Sequence, residues 1–292
     1  LEKKRSKGLS DKSITLDVIR RGLTLFFLGL VYEGFFQFHF ESLRIPSVLG
    51  RIGLAWMLAA ILYCHTGKKT QWGVAAGILI GYFLLLKLVV APDAPAGADS
   101  LSKEGNIAFY IDRLLLPDNI YKPGVYDPEG ILSTIPAVVT AMLGMFTGRY
   151  VKESPATGER KTLNMLAAAI VMAIVAVVWA HWFPVIKKLW TSTFVLACGA
   201  WSIGLFAVFY YLIDVKGWRK GTVFFQVVGM NSITIYMAQR IIGFWPVTDF
   251  FFKGLSGIVP ESCSGLVMNI GYFTVCWLFL YFLYRKKCFL KV

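Results

Sequence analysis

The sequence predicts an all-α fold, a polytopic transmembrane helical bundle, and three observations predict it. Apolar residues make up 57% of the chain, aromatics 15% and charged residues only 16%, a balance that water-soluble domains of this size do not reach. The apolar residues are collected into runs of roughly 17 to 25, the length a helix needs to cross about 30 Å of hydrocarbon. Alternation with period two is absent, and without a barrel the helix is the element that satisfies every backbone group in lipid.

Eight runs read as spans, at about 22–40, 47–64, 72–90, 128–148, 163–182, 191–213, 223–245 and 265–284. Together they are expected to form a single transmembrane domain over 1–292. The stretches between them alternate in positive charge. Twenty of the thirty Lys and Arg fall on one side, counting Lys3, Lys4, Arg5, Lys7, Lys68, Lys69 and Lys291, and seven on the other, with Arg51, Lys87 and Arg240 inside spans. Positive charge near span ends is retained in the cytoplasm, so both ends of the chain are expected there. The net charge of +13 then reads as a topology signal and a contact with anionic membrane lipid. No helix-turn-helix, finger or aromatic-basic pattern suggests nucleic acid.

One connection is long. Residues 91–127 are acidic, rich in Pro and Gly, and expected outside the cytoplasm, with "NIAFYIDRLLL" as a short interfacial helix in which Asp112 and Arg113 are available to pair with neighbours. A segment of this length serves either as a lid or as a plain connector. The five cysteines show no CxxC spacing, so neither a metal site nor a disulfide framework is expected. The opening "LEKKRSKGLSDKS" reads as an internal basic loop, and further residues are expected upstream.

Two carboxylates stand at the mouth of the fourth run, in "YDPEGILSTIPAVV". Asp127 suits a helix N-cap, Pro128 the first helical position and Glu129 the first turn, where the helix dipole favours an anion. The same pair suits a site that binds or deprotonates an amine or hydroxyl. Charges inside spans are costly and face a partner or a wet cavity. With span one ending at Phe40 and span two starting after Pro46, Glu33 and Arg51 fall about 8–10 Å below the outer ends. They are expected to pair, either as structure or as the wall of a cavity. Lys87 and Arg240 suit snorkelling to the headgroups. In "GMNSITIYMAQR", Asn231 suits either an interhelical hydrogen bond or a ligand contact. His39, His65 and His181 all lie near span ends, and none has a partner in sequence that singles it out.

The ordered motifs "LRIPSVLGRIGLAWMLAAIL", "YIDRLLLPDNIY", "YDPEGILSTIPAVVTAMLGMFTGRY", "KKLWTSTFVLACGAWSIGLFAVFYYLIDVKGW" and "GMNSITIYMAQRI" resemble the heparan-alpha-glucosaminide N-acetyltransferase family in its bacterial branch. The resemblance runs over nearly the whole chain. It implies a transmembrane acyltransferase that moves an acetyl group from cytosolic acetyl-CoA to the amino group of a hexosamine or glycan outside, in a bacterial inner membrane. It also implies roles: Asp127 and Glu129 at the acceptor amine, Arg20 and Arg21 at the CoA phosphates, Arg51 with Glu33 at the thioester arm, and Asn231 in the cavity wall. A homodimer is admitted as an assembly. The family's proposed catalytic histidine lies in a pattern like "HxxWxGxTxxD" between its first two spans, and that pattern is absent here. About ten spans are therefore expected in the complete protein, with the catalytic site incomplete in this chain. The alternative class is a secondary transporter or exporter of a small polar or sugar-derived substrate.

Overall fold

The computed structural model describes residues 8, 10–116 and 118–290. The basic residues Lys3, Lys4, Arg5, Lys7 and Lys291 of the charge count lie outside them. Eleven α-helices and no strand are present among the described residues. The chain divides into two compact units, Leu1–Gly217 and Trp218–Val292.

The first unit holds α1 (Asp11–Glu33), α2 (Val48–His65), α3 (Lys68–Leu88), the short α4 (Ile107–Leu115), α5 (Thr134–Glu153), α6 (Gly158–Ala180) and α7 (Ser192–Tyr210), the last running on as one π-helical turn to Val215. α1 packs on α2 and α6 on α7, while α5 lies against α2, α3 and α7. Small residues set the α1–α2 spacing. A Cβ on Gly53 would fall 2.6 Å from the Gly22 carbonyl oxygen, and one on Gly22 would fall 2.7 Å from Met57 Cβ. Backbones this close are the packing mode open to helices in lipid, where apolar area alone gives no drive to associate.

The second unit holds α8 (Thr222–Met230), α9 (Ser232–Ile241), α10 (Phe244–Ser256) and α11 (Glu261–Arg285). Its interior is aromatic: Phe244 packs with Ala238 and Cys276, and Trp245 lies 4.5 Å from Tyr272 between ring centroids.

The protein is a multi-pass membrane protein. Five helices among the described residues are long and apolar enough to cross a bilayer: Val48–His65, Lys68–Leu88, Gly158–Ala180, Ser192–Val215 and Glu261–Arg285. Three of the eight expected spans differ. The run at 22–40 is helical earlier, because Gly34 adopts φ 111° and closes α1 in a left-handed cap. The run at 128–148 becomes helical only at Thr134. The run at 223–245 is broken at Asn231 into α8 and α9. There the Asn231 side chain donates Nδ2 to the Val227 carbonyl, 3.2 Å, a local side-chain bond that competes with continued helix.

The long connection is ordered at the end of the first unit where α1 stops and α2 starts. Asn106 caps α4 by accepting from the Ala108 N–H. Arg113 binds Asp93 with two nitrogens and donates to the Val125 carbonyl. Asn119 donates to the Phe40, Glu41 and Leu43 carbonyls, and Ile45 N–H donates back to the Asn119 carbonyl. Phe109 and Tyr126 join Phe183 and Leu189 in a buried cluster beneath it. The opposite end is closed by Arg149 donating to Gln71 and Lys68 to Glu153.

Candidate functional site

Four carboxylates and two guanidiniums converge where the 34–47 loop, α4 and the 126–133 stretch meet. Arg44 is the centre. Its Nε and Nη2 donate to the two oxygens of Asp127 at 2.9 and 2.8 Å. Its Nη1 donates to Glu33 at 3.2 Å, its Nη2 also meets Glu129, and its guanidinium stands 5.1 Å from the Tyr121 ring centroid. Burial acts to lower the Arg44 pKa, but the hydrogen bond and charge of Asp127, then Glu129 and Glu33, outweigh it and hold the group above its ordinary range.

Asp127 is fully buried and committed on both oxygens. Beyond Arg44, Oδ1 accepts the Glu129 N–H and Oδ2 the Tyr121 N–H, at 2.8 and 2.7 Å. It therefore folds the chain into a turn before α5 and caps no helix; residue 133, a serine, occupies the N-cap position. Glu129 keeps a partly exposed side chain at 15%. The expected Glu33–Arg51 pair is not formed. Glu33 is the last residue of α1, which puts its carboxylate level with Arg44 in the following loop.

Arg51 sits one turn into α2 and is 5% exposed. Its Nη2 donates to the Pro128 carbonyl at 2.6 Å and to Ser133 Oγ, and its guanidinium lies 4.7 Å from the Trp190 ring. Nε and Nη1 are buried and meet no acceptor. Beside it, Asp112 is 1% exposed. Burial pushes its carboxyl up to about 7, against the Ile131 N–H that Oδ1 accepts.

A cavity of about 580 Å³ opens from this polar end. Arg51, Glu129 and Thr134 stand at one end of it, and Phe26, Leu54, Met57, Leu58, Ile135 and Val138 wall the rest. A carboxylate fixed beside a buried cation at the mouth of an apolar cavity is an arrangement suited to removing a proton from a nucleophile while stabilising developing negative charge.

No family model matches the chain. It is 29% identical over 301 residues to the human protein named heparan-alpha-glucosaminide N-acetyltransferase, with 86% of this chain aligned. The mouse protein of the same name is 26% identical over 338 residues, covering 98% of this chain. Over most of its own length the chain is thus similar to heparan-alpha-glucosaminide N-acetyltransferase. It spans about half the length of these relatives, 44% of the human and 51% of the mouse protein.

Within the chain, the residues singled out in sequence fall into separate places. Asp127, Glu129, Glu33 and Arg51 come together at the Arg44 cluster. Arg20 and Arg21 lie exposed along α1, about 18 Å from Glu33 along the axis at 1.5 Å per residue. Arg21 stands over the Trp56 ring at 5.2 Å. Asn231 belongs to the second unit, buried at 1%, with Oδ1 unpartnered. Lys87 and Arg240 are exposed in the last turns of their helices. His65 bonds Thr15, and His181 meets the Val177 and Val178 carbonyls.

Sequence reading missed Arg44, Ser133 and Trp190. For Arg44 a signal existed: it is the sole Lys or Arg in the 34–47 loop, on a side otherwise poor in positive charge. Ser133 and Trp190 carried none, because their role depends on which helices meet.

Proposed function

We propose that the chain forms the membrane-embedded part of an acetyltransferase that moves an acetyl group from cytosolic acetyl-CoA to the amine of a hexosamine or glycan at the far face of a bacterial inner membrane. The observation that carries this reading is Glu129, held by the Asp127 turn and by Arg44 at the mouth of a cavity that also presents Arg51, in a chain similar to heparan-alpha-glucosaminide N-acetyltransferase. Glu129 takes the proton as the acceptor nitrogen attacks the thioester carbonyl carbon. The C–N bond forms, the C–S bond breaks, and the thiolate leaves and takes up a proton as free CoA. Asp127, with both oxygens committed, is a positioning residue. Arg44 holds Glu129 in place. Arg20 and Arg21, exposed on α1, are suited to the CoA phosphates.

The orientation rests on the charge bias, with the 91–127 connection and the Arg44 cluster outside. The test uses the full-length protein in lipid nanodiscs with acetyl-CoA and glucosamine, reading free thiol and N-acetylated product together. Transfer that falls about tenfold or more in Glu129→Gln, with melting nearly unchanged, supports the reading. Full activity in that variant, or no transfer by the wild-type protein, overturns it.

A further inference from the structure

The cavity at Arg51 is larger and oilier than an acetyl group requires. At about 580 Å³ it falls within the range of sites for drug-sized ligands, while an acetyl group offers a single methyl to fill it. It is an open groove and not an enclosed void: Leu58 and Ile135 on its walls are 45% and 42% exposed, which leaves apolar surface for a ligand to cover. The walls from Phe26 along Leu54, Met57, Leu58 and Ile61 on one side and Ile135 and Val138 on the other are aliphatic or aromatic.

Only one end offers hydrogen bonds of the right kind. Arg51, 5% exposed, leaves Nε and Nη1 without an acceptor, and the N–H groups of these two nitrogens need an oxygen. Glu129 and Asp127 do not supply it, since both are held by Arg44. A groove of the same volume between α6 and α7, walled by Ala169, Ala173, Ala176 and Val177 among others, contains no charged residue and so lacks a head-group partner.

We propose that this cavity is an acyl-chain site, and that the donors it takes include acyl thioesters longer than acetyl, with the carbonyl oxygen on Arg51 Nε and Nη1 and the chain lying between α2 and α5. This rests on the acyl-transfer reading above and extends it to the donor. The step is the same in balance: the acceptor amine displaces the thiol, its proton passes to Glu129, and Arg51 holds the carbonyl oxygen as it becomes an oxyanion.

The test compares acetyl-CoA with octanoyl-CoA on the full-length protein in nanodiscs, measuring binding and transfer separately. Octanoyl-CoA is expected to bind at least tenfold more tightly than acetyl-CoA. Leu58→Trp, which fills the groove from a half-exposed wall position, should cut the octanoyl-to-acetyl ratio of kcat/KM at least tenfold. Ile135→Trp does the same from the facing wall, should Leu58→Trp fold poorly. Arg51→Lys should slow transfer from both donors at least tenfold. Equal binding of the two donors, or a preference that survives both groove-filling variants, overturns the assignment. Acetyl transfer without any chain-length preference defeats this inference alone; tight, groove-dependent octanoyl-CoA binding with no transfer from either donor defeats the transfer reading and leaves the chain site standing.

Discussion

Arg44 and Arg51 are seven residues apart at one end of the first unit, yet they are opposites in hydrogen bonding. Arg44, in the loop, meets three carboxylates and an aromatic ring. Arg51, on the helix, meets a carbonyl, a hydroxyl and an aromatic ring, and leaves two donors empty. The saturated cation holds the fold together, because it ties the Glu33 carboxylate at the end of α1 to the Asp127 and Glu129 carboxylates of the 126–133 stretch. The unsaturated one is tolerated by the fold and waits for a ligand atom. Charge in a bundle thus divides by what completes it: the protein itself, or something that binds.

The largest effect expected from breaking this contrast is at Arg44. Arg44→Met would leave Asp127 buried at 0% exposure without its cation, and removing one partner of a buried ion pair costs about 3–5 kcal/mol. The variant is expected to melt far below the wild type in detergent, and to lose the protection of the 118–127 segment from proteolysis. A melting temperature within a degree or two of wild type would mean that the cluster contributes no stability.

This difference was only half legible in the sequence. The all-helical class, the basic alternation and the gathering of Asp127, Glu129 and Arg51 near one end follow from composition and from counting along helices. The partner of Glu33 did not follow, because it depends on where α1 stops. Gly34 ends that helix in a left-handed turn, and a shift of a few residues exchanges Arg51 for Arg44. The start of α5 was hidden for a similar reason. Asp127, Pro128 and Glu129 have the local chemistry of a helix start, but Arg44 and the Tyr121 N–H claim the Asp127 carboxylate from segments distant in sequence. Local propensity yields to tertiary hydrogen bonds when these are charged and buried.

Asp112 sharpens the contrast through pH. In the folded chain its carboxyl is pushed up to about 7 from 3.8, chiefly by burial, so the folded state holds the proton more tightly than the unfolded one. That contribution is fully present below the unfolded value, declines as pH rises between the two, and is gone above about 7. Between about pH 5 and pH 8 the protein should lose on the order of 2 kcal/mol from this group. Asp112→Asn, neutral throughout, should flatten that part of the curve. Melting curves of both proteins across this range give the answer, and parallel curves would remove Asp112 as the titrating group.

A smaller loss is expected at Gly130, whose Cβ position is already taken by the Asp112 carboxylate. Gly130→Ala must push Asp112 away from the Ile131 N–H, and overpacking of this kind costs about 1–3 kcal/mol. The double change Gly130→Ala with Asp112→Ala should cost less than the sum of the two single changes. Strict additivity in melting experiments would show that the two residues do not touch.

The smallest effect on stability is expected at Arg51, and it decides whether the two cations differ as described. Arg51→Met removes a charge that burial disfavours and whose Nε and Nη1 return nothing in hydrogen bonds. The groups it leaves behind are neutral. Ser133 Oγ still donates to the Gly130 carbonyl, and the Pro128 carbonyl loses one ordinary hydrogen bond, worth about 1 kcal/mol. No carboxylate is stranded, since Asp127 and Glu129 stay on Arg44. Methionine fills much of the same volume beside Trp190, so the net change should stay within about 1 kcal/mol, in contrast with the several lost at Arg44. Transfer, however, should fall by about tenfold or more, because the side chain that meets the acyl oxygen is gone. A variant as unstable as Arg44→Met would show that Arg51 is a structural cation like its neighbour; one that keeps both stability and activity would show that its empty donors serve nothing.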